Sequence, residues 1–202
     1  MSLQPLLLGT RNPGKIFEIK SILAGSGWSF ASLQTFAAVD TPAETGATYT
    51  DNAILKAQYY ASATGMGALA DDSGLEVEAL GGAPGVYSAR YAGANATDAD
   101  RRALLLSELA KTPNTNRRAR FVAVVAISDA QGVVLNVSKG ICSGTIISSP
   151  RGHGGFGYDP LFVPDGYDQT FAELPDTVKN RISHRARALI NTRAFLSSFD
   201  VA

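Results

Sequence analysis

The longest unbroken apolar run in the chain, Phe121 to Ile127, is seven residues long. That is far short of the roughly 20 needed to cross a bilayer and suits a fully buried strand. Turn residues Asp129-Ala130-Gln131-Gly132 follow it, and a second β-prone stretch follows them, so residues 120–128 and 133–141 predict a long hairpin in mid-chain. Around this hairpin, strand and helix signals alternate. Leu6-Leu7-Leu8 reads as a short strand. Asn12 is a good N-cap, Pro13 suits the first helical position, and Ile16, Ile19, Ile22 and Leu23 recur at helical spacing until Gly25 and Gly27 end the helix. A second helix opens at the capping-box pattern Thr48-Tyr49-Thr50-Asp51 and carries Ala53, Ile54, Ala57 and Ala61 along one side, with Lys56 off that side.

Ala68-Leu69-Ala70 predicts a buried strand that stops at Asp71-Asp72-Ser73-Gly74, and residues 75–79 then alternate like a half-buried strand. Thr97-Asp98-Ala99-Asp100 caps a third helix bearing Leu104, Leu105 and Leu109. A glycine-rich turn over 152–157 leads to Asp159-Pro160 and a short strand at 161–163, and residues 179–199 predict a closing helix. Early alternation with a central hairpin implies an α/β domain with a mixed β-sheet flanked by helices, not a purely parallel sheet.

With no repeat, low-complexity tract or linker, the 202 residues read as one continuous domain over 1–202. Such a length buries roughly 70% of the unfolded surface without a disulfide or metal staple. At 45% hydrophobic and 18% charged residues, the composition excludes disorder and a disulfide scaffold. No basic residue precedes the first apolar stretch, Arg11 being the first cation, and the lone Cys142 suits a reducing compartment. The expectation is a cytoplasmic protein without a membrane span.

Lys and Arg number 18 and Asp and Glu 18, so no strongly basic surface for nucleic acid is expected. The halves differ: residues 1–100 hold 5 basic and 10 acidic residues, and residues 101–202 hold 13 and 8. The split reads either as ordinary surface variation or as an acidic metal-binding lip opposite a basic anion-binding one.

Four segments carry candidate chemistry. Thr10-Arg11-Asn12-Pro13-Gly14-Lys15 runs from a strand into a helix N-terminus, where free N–H groups, the helix dipole and Lys15 would attract phosphate. The same residues also fit a capped helix with a surface lysine. Asp71-Asp72-Ser73-Gly74, with Glu44 as a carboxylate from another loop, offers hard oxygen ligands to a cation, or else forms a solvated acidic turn. Gly154-Gly155-Phe156-Gly157-Tyr158-Asp159 sets two aromatics among glycines, giving a base-stacking platform or a turn with buried rings. Lys179 and the Ile182-Ser183-His184-Arg185 stretch supply anion binding and donors for an oxygen acceptor, or simply a basic helix face. Together they are the parts of a nucleoside triphosphate site.

In these segments the chain resembles the inosine triphosphate pyrophosphatase family, the non-standard purine nucleoside triphosphate pyrophosphatases that hydrolyse dITP, ITP and XTP. The resemblance runs from Leu7 to about Leu189. It is carried by Thr-Arg-Asn-Pro-Gly-Lys, Glu-Thr-Gly with Asp-Asn-Ala-Ile-Leu-Lys-Ala, Ala-Asp-Asp-Ser-Gly-Leu, Gly-Gly-Ala-Pro-Gly-Val-Tyr-Ser-Ala-Arg-Tyr, Gly-Gly-Phe-Gly-Tyr-Asp-Pro and Ile-Ser-His-Arg. Arg11 stands where bacterial members often have Gly, and Asp51 where Glu is usual.

What the resemblance implies is a Mg²⁺-dependent attack of water at the α-phosphorus, a homodimer, and an elongated fold of two lobes with the active-site cleft between them. It places Thr10, Arg11, Asn12, Pro13, Gly14 and Lys15 along the triphosphate, with Lys56 and Lys179 adding charge. Glu44 and Asp72 would hold the metal, Asp72 also accepting the proton, and Ser73 would touch substrate. Phe156, Gly157, Tyr158 and Asp159 would cradle the nucleoside, and His184 and Arg185 would face the base, matching a 6-oxo acceptor and mismatching the 6-amino donor of adenine. The residues also leave room for a nucleotide sensor without turnover, and for a pyrophosphatase of damaged pyrimidine or methylated nucleotides.

Overall fold

The computed structural model describes residues 5–113 and 115–198. Among the described residues, six strands form one sheet in the order β2-β1-β3-β4-β5-β6: β1 Leu6–Leu8, β2 Phe30–Ser32, β3 Ala68–Val77, β4 Arg118–Ser128, β5 Val134–Ile146 and β6 Phe162–Pro164. β1 runs parallel to both β2 and β3, while β6 is antiparallel to β5, so the sheet is mixed. The expected hairpin joins β4 to β5 through Asp129, which accepts from the Gly132 N–H, and runs farther at its open end than the apolar pattern suggested. The α-helices of the described residues are α1 Pro13–Ile22, α2 Tyr49–Thr64, α3 Asp98–Lys111, α4 Asp176–Ile182 and α5 His184–Ser198. Among the described residues, no helix is long and apolar enough to cross a membrane.

The chain divides into two compact units. The first comprises Met1–Asp72, Ala123–Gly140 and Arg185–Ala202. Its packing follows the two-residue period of a strand. Leu6 and Leu8 of β1 pack with Ile19, Leu23 and Leu189, while Leu7 packs with Leu33, Tyr60 and Ala61. On β3, Leu69 belongs to the former face and Ala68 to the latter. Both faces are therefore covered, as a parallel strand requires. The second unit comprises Ser73–Val122 and Ile141–His184, with a core in which Phe121, Phe162 and Phe171 pack together.

The starts of α1, α2 and α3 are where the sequence signals place them, whereas the closing helical region starts at Asp176, ahead of the expected Lys179. The Asn12 side chain accepts from the Lys15 N–H ahead of Pro13, and Thr48/Asp51 and Thr97/Asp100 each close a full capping box. Asp51 thereby does in α2 what a Glu at that position does in a capping box, so this departure from the usual residue is accounted for structurally.

Two expectations are corrected. β3 does not stop at Asp71 but continues through Asp71 and Asp72 to Val77, because each carboxylate meets a cation from another element. The closing helix is two helices, since Ser183 is extended (φ −66°, ψ 160°) between α4 and α5. Phe199, the last residue of the expected helix, lies outside the described residues.

Candidate functional site

In the first unit the site is built from opposite faces of β3. Consecutive strand residues point to opposite sides, so Asp71 shares the face of Leu69 and Asp72 that of Ala68. Asp72 therefore meets α2. Its Oδ1 accepts from Lys56 Nζ at 2.9 Å and its Oδ2 from Asn52 Nδ2 at 3.3 Å. Lys56 Nζ donates a second bond, of 2.8 Å, to Glu44 Oε1, and Asn52 Oδ1 accepts from the Gly46 N–H at 2.8 Å. Lys56 was expected off the apolar side of α2, yet it is buried in the same stripe as Asn52, Ala53 and Ala57. Four methylenes carry its charge inward, and two carboxylates receive it.

Charge does not balance in this cluster. Glu44 and Asp72 share one ammonium. Burial opposes the Lys56 charge, but Asp72, Asp71 and Glu44 outweigh it and hold its pKa above the ordinary lysine value. The surplus negative charge falls on Asp72, whose pKa is raised, first by burial and then by Glu44, against the pull of Lys56. Two carboxylate oxygens bonded to one nitrogen, with negative charge to spare, fit a hard cation that prefers oxygen ligands. Among the described residues, no cluster of three or more His, Cys, Asp or Glu could hold a metal. A cation here would take one or two carboxylates and complete its shell with water and phosphate, a common mode for Mg²⁺.

Asp71 faces α1 and α5. Its Oδ2 accepts from Lys15 Nζ and from Arg185 Nε, both at 3.1 Å, and Arg185 Nη1 reaches Glu18 Oε2. Burial raises the Asp71 pKa, but Lys15 and Arg185 outweigh it and hold the carboxyl well below the usual range. Arg185 is only 1% exposed. Both it and Lys179 were open to a reading as a basic solvated helix face, and the structure buries both.

The loop before α1 is more open. Asn12 and Pro13 are exposed and Thr10 is half-buried, with the Thr10 hydroxyl accepting from the Asn12 N–H at 3.2 Å. The helix start has fewer donors than a bare terminus, because Pro13 has no N–H and that of Lys15 goes to Asn12 Oδ1. Gly14 sits half-buried between them. Exposed Arg11 donates Nη2 to the Val39 carbonyl at 2.7 Å.

The second unit contributes a separate constellation. Asp159 Oδ2 accepts from the Phe156 N–H at 2.9 Å and from Lys179 Nζ at 2.6 Å, and that ammonium lies 4.9 Å from the centre of the Phe156 ring. Phe156 is half-buried, whereas Tyr158 is buried with its hydroxyl donated to the Ser88 carbonyl at 3.0 Å. Burial pushes the Tyr158 phenol upward. Of the two aromatics expected to offer a stacking face, Phe156 is thus the more accessible. His184 stacks on Phe121, with centroids 4.6 Å apart at 11°, and Ser73 is half-buried on β3.

Sequence reasoning missed three residues here. Asn52 precedes Lys56 by one helical turn, a signal present in the sequence. Glu18 sits among the isoleucines of α1 and reads as a solvated charge until Arg185 is placed beside it. Ser88 accepts from Tyr158 through its backbone, which no side-chain pattern reveals.

Comparison with known proteins adds independent findings. The model of the Ham1 family matches residues 6–195. The dITP/XTP pyrophosphatase of Thermus thermophilus is 50% identical over 194 residues, 96% of this chain and 91% of that protein. The dITP/XTP pyrophosphatase of Mycobacterium tuberculosis is 48% identical over 188 residues, covering 91% of each. Among solved structures, a HAM1 protein from Coxiella burnetii superposes with a TM-score of 0.89 at 40% identity, covering 97% of this chain and all of that one. The Staphylococcus aureus Ham1 protein gives 0.84 at 39% identity, with 96% and 99% covered.

Proposed function

We propose, from the premise that this chain belongs to the Ham1 family, that it is a nucleoside triphosphate pyrophosphatase acting on the non-standard purine nucleotides dITP, ITP and XTP. The products are the nucleoside monophosphate and pyrophosphate, and the consequence is removal of deaminated purines from the nucleotide pool. The observation that carries the reading is the Glu44–Lys56–Asp72 cluster, in which one buried ammonium is shared by two carboxylates and negative charge remains in excess. The names of relatives about 50% identical over almost the whole chain support it.

The residues divide the work by charge. Glu44 and Asp72 would hold Mg²⁺, which when bound would neutralise phosphate charge and lower the pKa of water. Asp72, whose pKa burial raises against the pull of Lys56, accepts the proton of the attacking water. The bond formed is water oxygen to α-phosphorus, and the bond broken joins that phosphorus to the oxygen leaving with pyrophosphate. Lys15, Lys56 and the 10–14 loop offset triphosphate charge, so positioning and electrostatics supply most of the acceleration. Ser73 touches the substrate beside Asp72. Phe156, Gly157, Tyr158 and Asp159 present ring and backbone to the nucleoside, and Lys179 adds charge around the triphosphate. His184 and Arg185 set the preference for a 6-oxo purine, Arg185 doing so from within its pairing to Asp71 and Glu18. The acting form is a cytoplasmic homodimer of single-domain chains.

The test is direct. Purified protein with Mg²⁺ is incubated separately with ITP, XTP, dITP, ATP and GTP, and pyrophosphate is measured against orthophosphate. Pyrophosphate from the first three alone is expected. Orthophosphate instead, or no release by folded protein, overturns the reading.

A further inference from the structure

The turn that carries Phe156 and Asp159 is gripped from behind by α3. Asp98 Oδ2 accepts from the Gly157 N–H at 2.7 Å, and Arg102 Nη1 donates to the Gly157 carbonyl, also at 2.7 Å. Asp98 and Arg102 are four residues apart and so share one face of the helix. Between them they hold both backbone polar groups of a single residue. That residue is in the left-handed region (φ 61°), which glycine enters without the steric cost that other residues meet, so the two bonds rather than a side chain fix the backbone here.

The clamp is itself anchored. Arg101 Nη1 pairs with Asp98 while its Nη2 donates to the Ala96 carbonyl at 2.6 Å, and the Thr97/Asp100 capping box fixes the start of α3. Asp98 and Arg102 reach the turn through the backbone N–H and C=O of Gly157.

We propose that Asp98 and Arg102 are positioning residues for the nucleoside, holding Gly157 so that Phe156 and Asp159 meet it at a fixed angle. This rests on the reading that residues 156–159 take the nucleoside. The two charge-assisted bonds hold the peptide planes on either side of the Gly157 Cα and so restrain both of its backbone torsions, and misplacing a binding group by an ångström is enough to weaken binding greatly. The effect belongs to recognition of the base end and leaves the phosphate end untouched.

The experiment measures pyrophosphate release from dITP by the full chain and by Asp98→Ala, Asp98→Asn and Arg102→Ala, with inorganic tripolyphosphate as a competitive inhibitor that reports the phosphate end alone. Leu109→Ala, in the apolar core under the same helix, serves as the purely structural control. Asp98→Ala and Arg102→Ala are expected to raise KM for dITP roughly tenfold with kcat within about twofold and the tripolyphosphate Ki unchanged. Asp98→Asn, which keeps an acceptor for the Gly157 N–H, recovers most of the loss, and Leu109→Ala lowers Tm without moving KM. An unmoved KM in both alanine variants overturns the proposal, as does a parallel rise in the tripolyphosphate Ki or an equal KM rise in Leu109→Ala. Wild-type protein that releases no pyrophosphate from dITP, ITP or XTP removes the nucleotide reading and the proposal with it, whereas an active wild type with unmoved variants removes the proposal alone.

Discussion

Arg185 is a buried charge with two carboxylates upon it, and that sets what its substitution does. Arg185→Ala leaves Glu18 and Asp71 facing each other's neighbourhood without their shared cation, at a cost of about 3–5 kcal/mol. The urea midpoint is expected to fall accordingly, so a base-preference measurement on that variant mixes stability with recognition. Arg185→Lys keeps the charge and loses the planar fork. It is expected to stay folded while narrowing the preference for ITP over ATP, and an unchanged ratio moves base reading to other residues. Asp72→Asn keeps the shape and one acceptor oxygen for Lys56 but sets its NH2 against the Asn52 Nδ2 donor, so circular dichroism should match wild type while turnover drops roughly 10²–10⁴-fold. A rate near wild type would sink the assignment of Asp72 as proton acceptor. Residue types were legible from the sequence, since Glu44, Lys56 and Asp72 are the chemistry a charged substrate needs. Partners were not: Glu18 and Arg185 lie 167 positions apart, and nothing local announces their pairing.

At the scale of elements, starts were more legible than interiors. A cap is a local contract between residues three apart, which is why Thr48 with Asp51 and Thr97 with Asp100 could be read directly. β3 was misjudged at Asp71 because two carboxylates inside a strand look like a turn until α1, α2 and α5 bring Lys15, Lys56 and Arg185 to them. The break at Ser183 carries no proline or glycine, so a continuous helix was the natural expectation. The glycine turn yields a sharper prediction. Gly155 has φ 68°, and a Cβ there would lie 2.1 Å from Asp159 Oδ2. Gly155→Ala therefore combines roughly 1–2 kcal/mol of left-handed strain with expulsion of the carboxylate from the Phe156 N–H and Lys179. The expected result is a folded protein with a raised KM for dITP. A variant with wild-type KM would show that the Asp159 contacts do not shape the nucleotide site.

For the whole molecule, the opposed charges of the two sequence halves are partly spent on each other: Arg185 meets Asp71 and Glu18, and Arg120 meets Glu76. Such pairing ties stability to pH. Asp71 and Asp98 both titrate below the ordinary aspartate value of 3.8, so each binds its proton less readily folded than unfolded. Their stabilisation is complete above that value and is lost as pH falls through their lower folded values. Asp72 has the opposite sign: its raised pKa means that the folded state keeps the proton to higher pH, and its ionisation costs stability as pH rises through the folded value. Denaturant midpoints measured without metal from pH 7 downward should therefore rise slightly as Asp72 protonates, then fall below about pH 4 as the other carboxyls follow. Asp72→Asn should lose the rise and keep the fall. A wild-type midpoint that stays level or climbs between pH 4 and pH 3 would mean that the Asp71 pairs with Lys15 and Arg185 contribute nothing to holding the first unit together, and the same charges would then be free to serve substrate alone.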